Sequence, residues 1–148
     1  MRRYSLTATD TNTAGTTMWT LGSATTIRPA LYDFIPSSVA TPADNAMQCD
    51  LKRCTALGTS TAVTAVELDP GDPASLTTNG ENHTVEPTYT ANKELLQICV
   101  NMRATFRWVA REGSEIKAPA TAANGLGCFV PTIGGSAVVY FFTILFSE

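Results

Sequence analysis

The chain has 148 residues, of which 44% are apolar and only 16% charged, and its formal net charge is −3. This length suits one domain with a real core, and the acidic balance argues against nucleic acid as the main partner, because duplex binding needs a positive field. The longest apolar run, Ala137 to Phe146, is about half as long as a membrane-spanning helix, so we expect no membrane contact.

Threonine and alanine take the place of long charged side chains, and threonine favours strands over helices. The composition therefore predicts an all-β protein. Arg2 and Arg3 are not followed by an apolar stretch, so we expect no signal peptide and synthesis in the cytoplasm.

The first third of the chain is predicted to be mostly extended. Residues 1–20 are predicted to contain an N-terminal arm or edge strand, with the strand itself at Arg2 to Thr9. Thr25 to Pro36 is also extended, and Pro29 indicates an edge or a bulge because proline cannot donate to a strand ladder. Ala46 to Thr55 alternates between polar and apolar residues, which is typical of a half-buried strand.

The middle of the chain combines turns with a polar stretch. "DPGDPAS", Asp69 to Ser75, has strong turn chemistry. Thr77 to Asn92 has few hydrophobic residues and is predicted to be a long exposed loop. Glu94 to Met102 is apolar enough to form a strand.

The segment "RATFRWVAR" has two distinct faces in a strand. One face is apolar (Ala104, Phe106, Trp108, Ala110) and the other is mostly polar (Arg103, Thr105, Arg107, Val109, Arg111). Two interpretations of the arginines stay open. They contact an acidic neighbour, such as another subunit, or they form a solvated face with a cross-strand partner such as Glu115. The following "EGS" turn predicts a hairpin with "EIKAP".

The C-terminal segment, residues 136–148, is apolar on both alternating faces. This pattern is typical of a central strand or of one buried between subunits, and Tyr140 and Phe142 are candidate inter-subunit contacts together with the three arginines. Short strands separated by turn signals predict a single β domain over residues 1–148, built as a jelly-roll-like sandwich or barrel with long loops.

No pattern in the sequence indicates a catalytic or metal site. His83 has no nucleophile or orienting group near it in sequence. The acidic residues between Glu67 and Glu86 lack calcium-loop spacing, and the four cysteines lack zinc spacing and are predicted to be buried thiols. We therefore predict no catalytic residue, no metal, no cofactor and no enzymatic activity.

An ordered set of segments resembles small virion proteins of tailed bacteriophages and related prophages. It consists of a "TPADN" loop, a "GTSTAVT" strand followed by "LDPGDP", an "EPTYTAN" segment and "NMRATFRWVA". Together these segments lie within Thr41 to Gly127. No single piece is specific, but their order is similar to that of capsid decoration proteins, also called auxiliary or cement proteins.

The resemblance implies a structural function. Such proteins bind the major capsid protein on the outer surface of the shell, often as homotrimers at local three-fold positions, and they reinforce it against internal DNA pressure. The resemblance thus implies a virion location, synthesis in the host cytoplasm and no direct contact with nucleic acid. The resemblance implies no catalytic residues.

Another interpretation belongs to a different class, a receptor-binding or adhesin-type β-sandwich module on the virion. Fold alone does not distinguish the two. Exposed loop aromatics, on which sugars stack, would favour the adhesin, and Thr77 to Asn92 carries only Tyr89. A small β-sandwich enzyme is a third class, and it lacks a convergent set of titratable residues.

Overall fold

A computed structural model of the chain describes residues 1–39 and 41–148, and the side chain of Asn92 lies outside that description. The fold is all β, as the composition predicted. The strands are β1 (Arg3–Thr11), β2 (Thr16–Gly22), β3 (Ala30–Ser38), β4 (Ala46–Ala56), β5 (Thr59–Val63), β6 (Val66–Glu67), β7 (Thr78–Val85), β8 (Thr88–Asn101), β9 (Trp108–Val109), β10 (Ile116–Lys117), β11 (Gly125–Val130) and β12 (Val139–Ser147).

The strands form two antiparallel sheets that pack face to face as a β-sandwich. Sheet A has the order β10-β3-β12-β1-β6, and β9 also pairs with β3. Sheet B has the order β5-β7-β2-β11-β4-β8. Because the chain passes between the sheets after most strands, residues far apart in sequence become neighbours: β1 pairs with β12, and β2 pairs with β11.

Aromatic side chains from both sheets fill the core. Trp19 of sheet B contacts Phe34 of sheet A with ring centroids 5.7 Å apart, and Phe34 stacks on Phe142 at 6.0 Å. Period-two alternation directs Tyr140, Phe142, Ile144 and Phe146 of β12 inward. Burying one such side chain contributes about 1.5–3 kcal/mol, so this strand contributes much of the core.

Residues 1–20, predicted to contain an arm or edge strand, form core strands instead. β1 pairs with β12 from Arg3 to Thr11 and buries Tyr4, Leu6 and Ala8. Its other neighbour, β6, pairs over only two residues, so the edge character is partly retained. The segment is not a free arm, because its pairing with β12 and its three buried side chains hold it in the core.

The structure places Pro29 just before β3, so the prediction that it marks an edge or a bulge is wrong, although β3 has a bulge of its own further on. β3 lies inside sheet A, between β12 on one side and β9 and β10 on the other. Its register shifts where Leu145 and Phe146 face Asp33 and Leu31. The extra residue is Tyr32. It lets Leu31 and Phe34 both point into the core, although residues three apart in a regular strand point to opposite faces.

Two further predictions, for Thr77–Asn92 and for the hairpin after Arg111, are wrong. Most of the Thr77–Asn92 segment is in β7 and the start of β8 rather than in a loop. β9 and β10 do not form a hairpin with each other, because both pair with β3. They are two parts of one edge strand, interrupted by the turn at residues 111–115.

Candidate interaction surface

The outer face of sheet A is built mainly from hydroxyl and apolar side chains, and we call it the hydroxyl face. Its members are Ser5, Thr7, Thr9 and Thr11 of β1, Ile35 and Ser37 of β3, Val139, Phe141, Thr143 and Leu145 of β12, and Val66 and Val109 at its two margins. These side chains are not ionisable, but charged groups lie at one end of the same face: Asp33 lies between Leu145 and Val109 and is paired with Arg107, and Arg3 is next to Ser147.

Strand register arranges the hydroxyl face in rows. Phe141 lies between Thr9 and Ser37, and Thr143 lies between Thr7 and Ile35. Phe141 is 45% exposed and Val139 is 36% exposed. Threonine side chains are stiff, so ordering them against a partner costs little entropy, and the rows of Phe141 and Thr143 contain no charge that would have to be desolvated. The face is therefore suited to contact with another protein.

Of the predicted contact residues, Tyr140 and Phe142 lie in the core instead of on the surface. Their exposed fractions are 0% and 1%, and Phe142 stacks on Phe34. A second subunit cannot reach them without opening the sandwich. The exposed side chains of the same strand are their neighbours Val139 and Phe141, because strand parity turns those outward.

Arg107 is paired within its own chain. Its Nε donates hydrogen bonds to both carboxylate oxygens of Asp33 at 3.1 Å, and Nη2 lies 2.5 Å from Oδ2. This hydrogen bonding, with the charge of Asp33, raises the pKa of Arg107. Arg107 thus has an acidic partner in its own chain, but it lies just before β9 rather than within a strand. The partner is Asp33 and not Glu115, whose carboxylate lies 3.8 Å from Lys117 Nζ.

Arg103 and Arg111 lie away from Arg107, in two separate turns. Arg103 follows β8, and its Nε donates to the carbonyl oxygen of Pro42 at 3.1 Å. Arg111 begins the exposed turn between β9 and β10, where its carbonyl accepts from the Ser114 amide. The structure therefore does not bring the three arginines together as one basic surface.

His83 is held by β2 rather than exposed in a loop. Its Nδ1 lies 3.2 Å from the Thr17 carbonyl oxygen, which requires that nitrogen to donate, and Nε2 lies 3.3 Å from Thr20 Oγ1. Burial lowers the pKa of His83, although Glu86 opposes this shift. Both ring nitrogens are thus engaged in holding β7 on β2.

Tyr89 is part of the packing on the outer face of sheet B. Its hydroxyl group lies 2.8 Å from Thr17 Oγ1, and its ring lies 5.8 Å from that of Phe129. Burial raises its pKa. This aromatic residue is not a free platform for sugar stacking, which weighs against the adhesin interpretation.

The cysteine prediction is correct for three of the four thiols. Cys49, Cys54 and Cys128 are buried, whereas Cys99 on β8 is exposed, and all are free. Residues 1–39 and 41–148 contain no group of three or more His, Cys, Asp or Glu side chains placed to hold a metal ion. Nor does this part of the chain contain a helix long and apolar enough to cross a membrane.

No protein-family model, curated protein or solved structure matches this chain. The similarity to phage decoration proteins therefore stays a prediction from the ordered sequence segments.

Proposed function

We propose that this chain is a virion structural protein, a decoration or cement protein that binds the outer surface of a major capsid shell and stabilises it. The observation that carries the proposal is the hydroxyl face, on which the rows of Phe141 and Thr143 across β1, β12 and β3 carry no charged side chain, with Phe141 exposed near the centre and Val139 at the margin. A β-sandwich that presents such a face suits this task.

The strand order supports the jelly-roll form expected of such a module. If β9 and β10 are counted as one strand and β5 to β7 as an insertion, the chain has eight main strands. The first of these pairs with the last, the second with the seventh, the third with the sixth and the fourth with the fifth. The nested pairs are β1 with β12, β2 with β11, β3 with β9 and β10, and β4 with β8. These nested pairs are the ones that the proposed jelly roll requires, and jelly rolls occur in viral capsid proteins and in lectin domains.

A sedimentation assay tests the proposal. Recombinant protein is added to purified expanded shells that lack it, and bound copies are counted after the shells are pelleted. We expect saturable binding, and copies in multiples of three at each local three-fold position if the predicted trimer forms. Binding to host cells but not to shells would support the adhesin-type module instead.

Two variants test the surface itself. The double variant Val139→Ser, Phe141→Ser removes two exposed apolar side chains from the hydroxyl face, and we expect shell affinity to fall about tenfold or more. Val85→Ser is the matched control, because Val85 is exposed at 58% on sheet B. Equal binding by the double variant and the control would contradict a role for this face.

A further inference from the structure

β8 is the longest of the outermost strands of the two sheets in the described part of the chain. β6, β9 and β10 have two residues each, and β5 has five with a register shift. β8 has fourteen residues. Sheet edges are usually protected against pairing with another chain by short strands or bulges, and β8 is not short.

Only the first half of β8 is protected. There the pairing with β4 is broken by register shifts at Leu51, Lys52 and Cys54, and the strand carries Lys93 and Glu94. From Leu96 to Asn101 the pairing is regular, and Leu95 to Asn101 contains neither a charge nor a proline. This second half is a regular uncharged edge of the kind that accepts a further strand.

Three backbone hydrogen bonds show which groups of β8 point to the open edge. The Met102 amide donates to the Asn45 oxygen, whereas the Gln48 amide donates to Thr132 on the opposite side of β4. Antiparallel alternation then directs the backbone groups of Leu96, Ile98 and Val100 toward β4. The open edge therefore carries the backbone groups of Leu95, Gln97, Cys99 and Asn101. Of these, the Asn101 carbonyl oxygen already accepts a hydrogen bond from the Ala104 amide.

We propose that this edge, residues 95–101 of β8, pairs antiparallel with the same edge of a second copy about a two-fold axis at Ile98. The two B sheets then form one continuous sheet across the dimer. The inference uses only the chain's own edge and does not rest on the proposed function. A two-fold contact is also compatible with three-fold positions, since it can join copies that belong to neighbouring trimers.

Self-complementarity identifies the occupant as a second copy. In this register Ile98 faces Ile98 of the partner subunit, and Leu96 faces the partner's Val100, so the side that faces the core stays apolar. On the outer side Gln97 faces the partner's Cys99, and each such pair exchanges two backbone hydrogen bonds. A two-fold contact brings identical residues close together, and here none of them carries a charge.

Sedimentation over a concentration series tests the proposal, with Gln97→Pro and Gln97→Ala as a matched pair. Proline removes the amide that points to the open edge without removing a hydrogen bond to β4. We expect concentration-dependent dimers of the wild-type chain and of Gln97→Ala, and at least a tenfold lower association constant for Gln97→Pro. A wild-type chain that stays monomeric at several hundred micromolar, or equal dimerisation of the two variants, would overturn the proposal.

A crosslink tests the register independently of whether Gln97→Pro folds. Gln97→Cys places a thiol opposite the native Cys99 of the partner subunit, at the roughly 5.5 Å Cα separation of a hydrogen-bonded pair, which a disulfide spans. With oxidised glutathione as the oxidant we expect a covalent dimer, and none from Gln97→Cys combined with Cys99→Ser. Failure of Gln97→Cys to crosslink would overturn pairing about Ile98.

Discussion

Tyr4 and Tyr140 are both buried in the core, but only one of their hydroxyl groups has a hydrogen-bond partner. Tyr4 donates to the carbonyl oxygen of Pro73 at 3.0 Å, which attaches the Asp69–Ser75 turn to sheet A. Among the described residues the Tyr140 hydroxyl has no partner. Burial raises the pKa of Tyr140 to about 12. The same chemical group therefore stabilises the fold at one position and costs free energy at the other.

Phenylalanine at the two positions should have opposite effects on stability. Tyr140→Phe removes an unpaired buried hydroxyl and should raise the free energy of unfolding by about 1 kcal/mol. Tyr4→Phe removes a hydrogen bond and should lower it by about 1 kcal/mol. Urea unfolding of both variants measures the two values. A loss for Tyr140→Phe equal to that for Tyr4→Phe would mean that Tyr140 has a partner.

At the scale of elements, strands with an alternating pattern, such as β4, or with apolar residues on both faces, such as β12, were predictable, whereas β7 and β11 were not. β4 and the second half of β8 follow apolar periodicity and were predicted. β7 and β11 were missed, because β7 has few apolar residues and "GLGCFV" follows a run that resembles a loop. Yet β11 is central in sheet B, between β2 and β4. Its glycines look like turn signals in sequence but serve close packing in the structure.

Gly127 shows why β11 needs a residue without a side chain. A Cβ atom there would lie 2.3 Å from the hydroxyl oxygen of Tyr89, which packs across the strand. Gly127→Ala should therefore displace Tyr89 and lower the free energy of unfolding by about 1–3 kcal/mol. Thermal and urea unfolding measure the loss.

A double-mutant cycle separates this clash from a general effect of alanine in β11. In a Tyr89→Ala background the Cβ atom meets no ring, so the cost of Gly127→Ala should largely disappear. The same cost in both backgrounds would assign the loss to the strand backbone rather than to Tyr89.

At the scale of the whole molecule, the chain's single histidine links stability to pH. Burial lowers the pKa of His83 below 6.5, so between the lowered value and 6.5 the unfolded chain binds more protons than the folded one. Stability therefore rises with pH through this window and is lost as pH falls through it. Asp10 acts in the opposite sense at lower pH, because burial raises its pKa above 3.8.

His83→Gln should flatten this pH dependence. Between about pH 5.5 and 7.5 we expect the wild-type free energy of unfolding to fall on acidification, with a slope of at most about 1.4 kcal/mol per pH unit for one proton. The variant should show a smaller slope over the same range. Chemical unfolding at several pH values measures both, and parallel curves would show that His83 titrates alike in the folded and unfolded chains.

Local sequence patterns were enough to predict the β class, several strands, the Asp69–Ser75 turn and the two faces around Trp108. These features depend on period-two alternation and turn chemistry, which act between residues close in sequence. Because both faces of β12 are apolar, the inward direction of Tyr140 and Phe142 and the outward direction of Val139 and Phe141 follow from the packing of the two sheets. The pairing of Arg107 with Asp33 and the open edge of β8 also depend on how the strands are arranged in space. Such choices depend on which distant strands pair and in which register, and no local pattern carries that information.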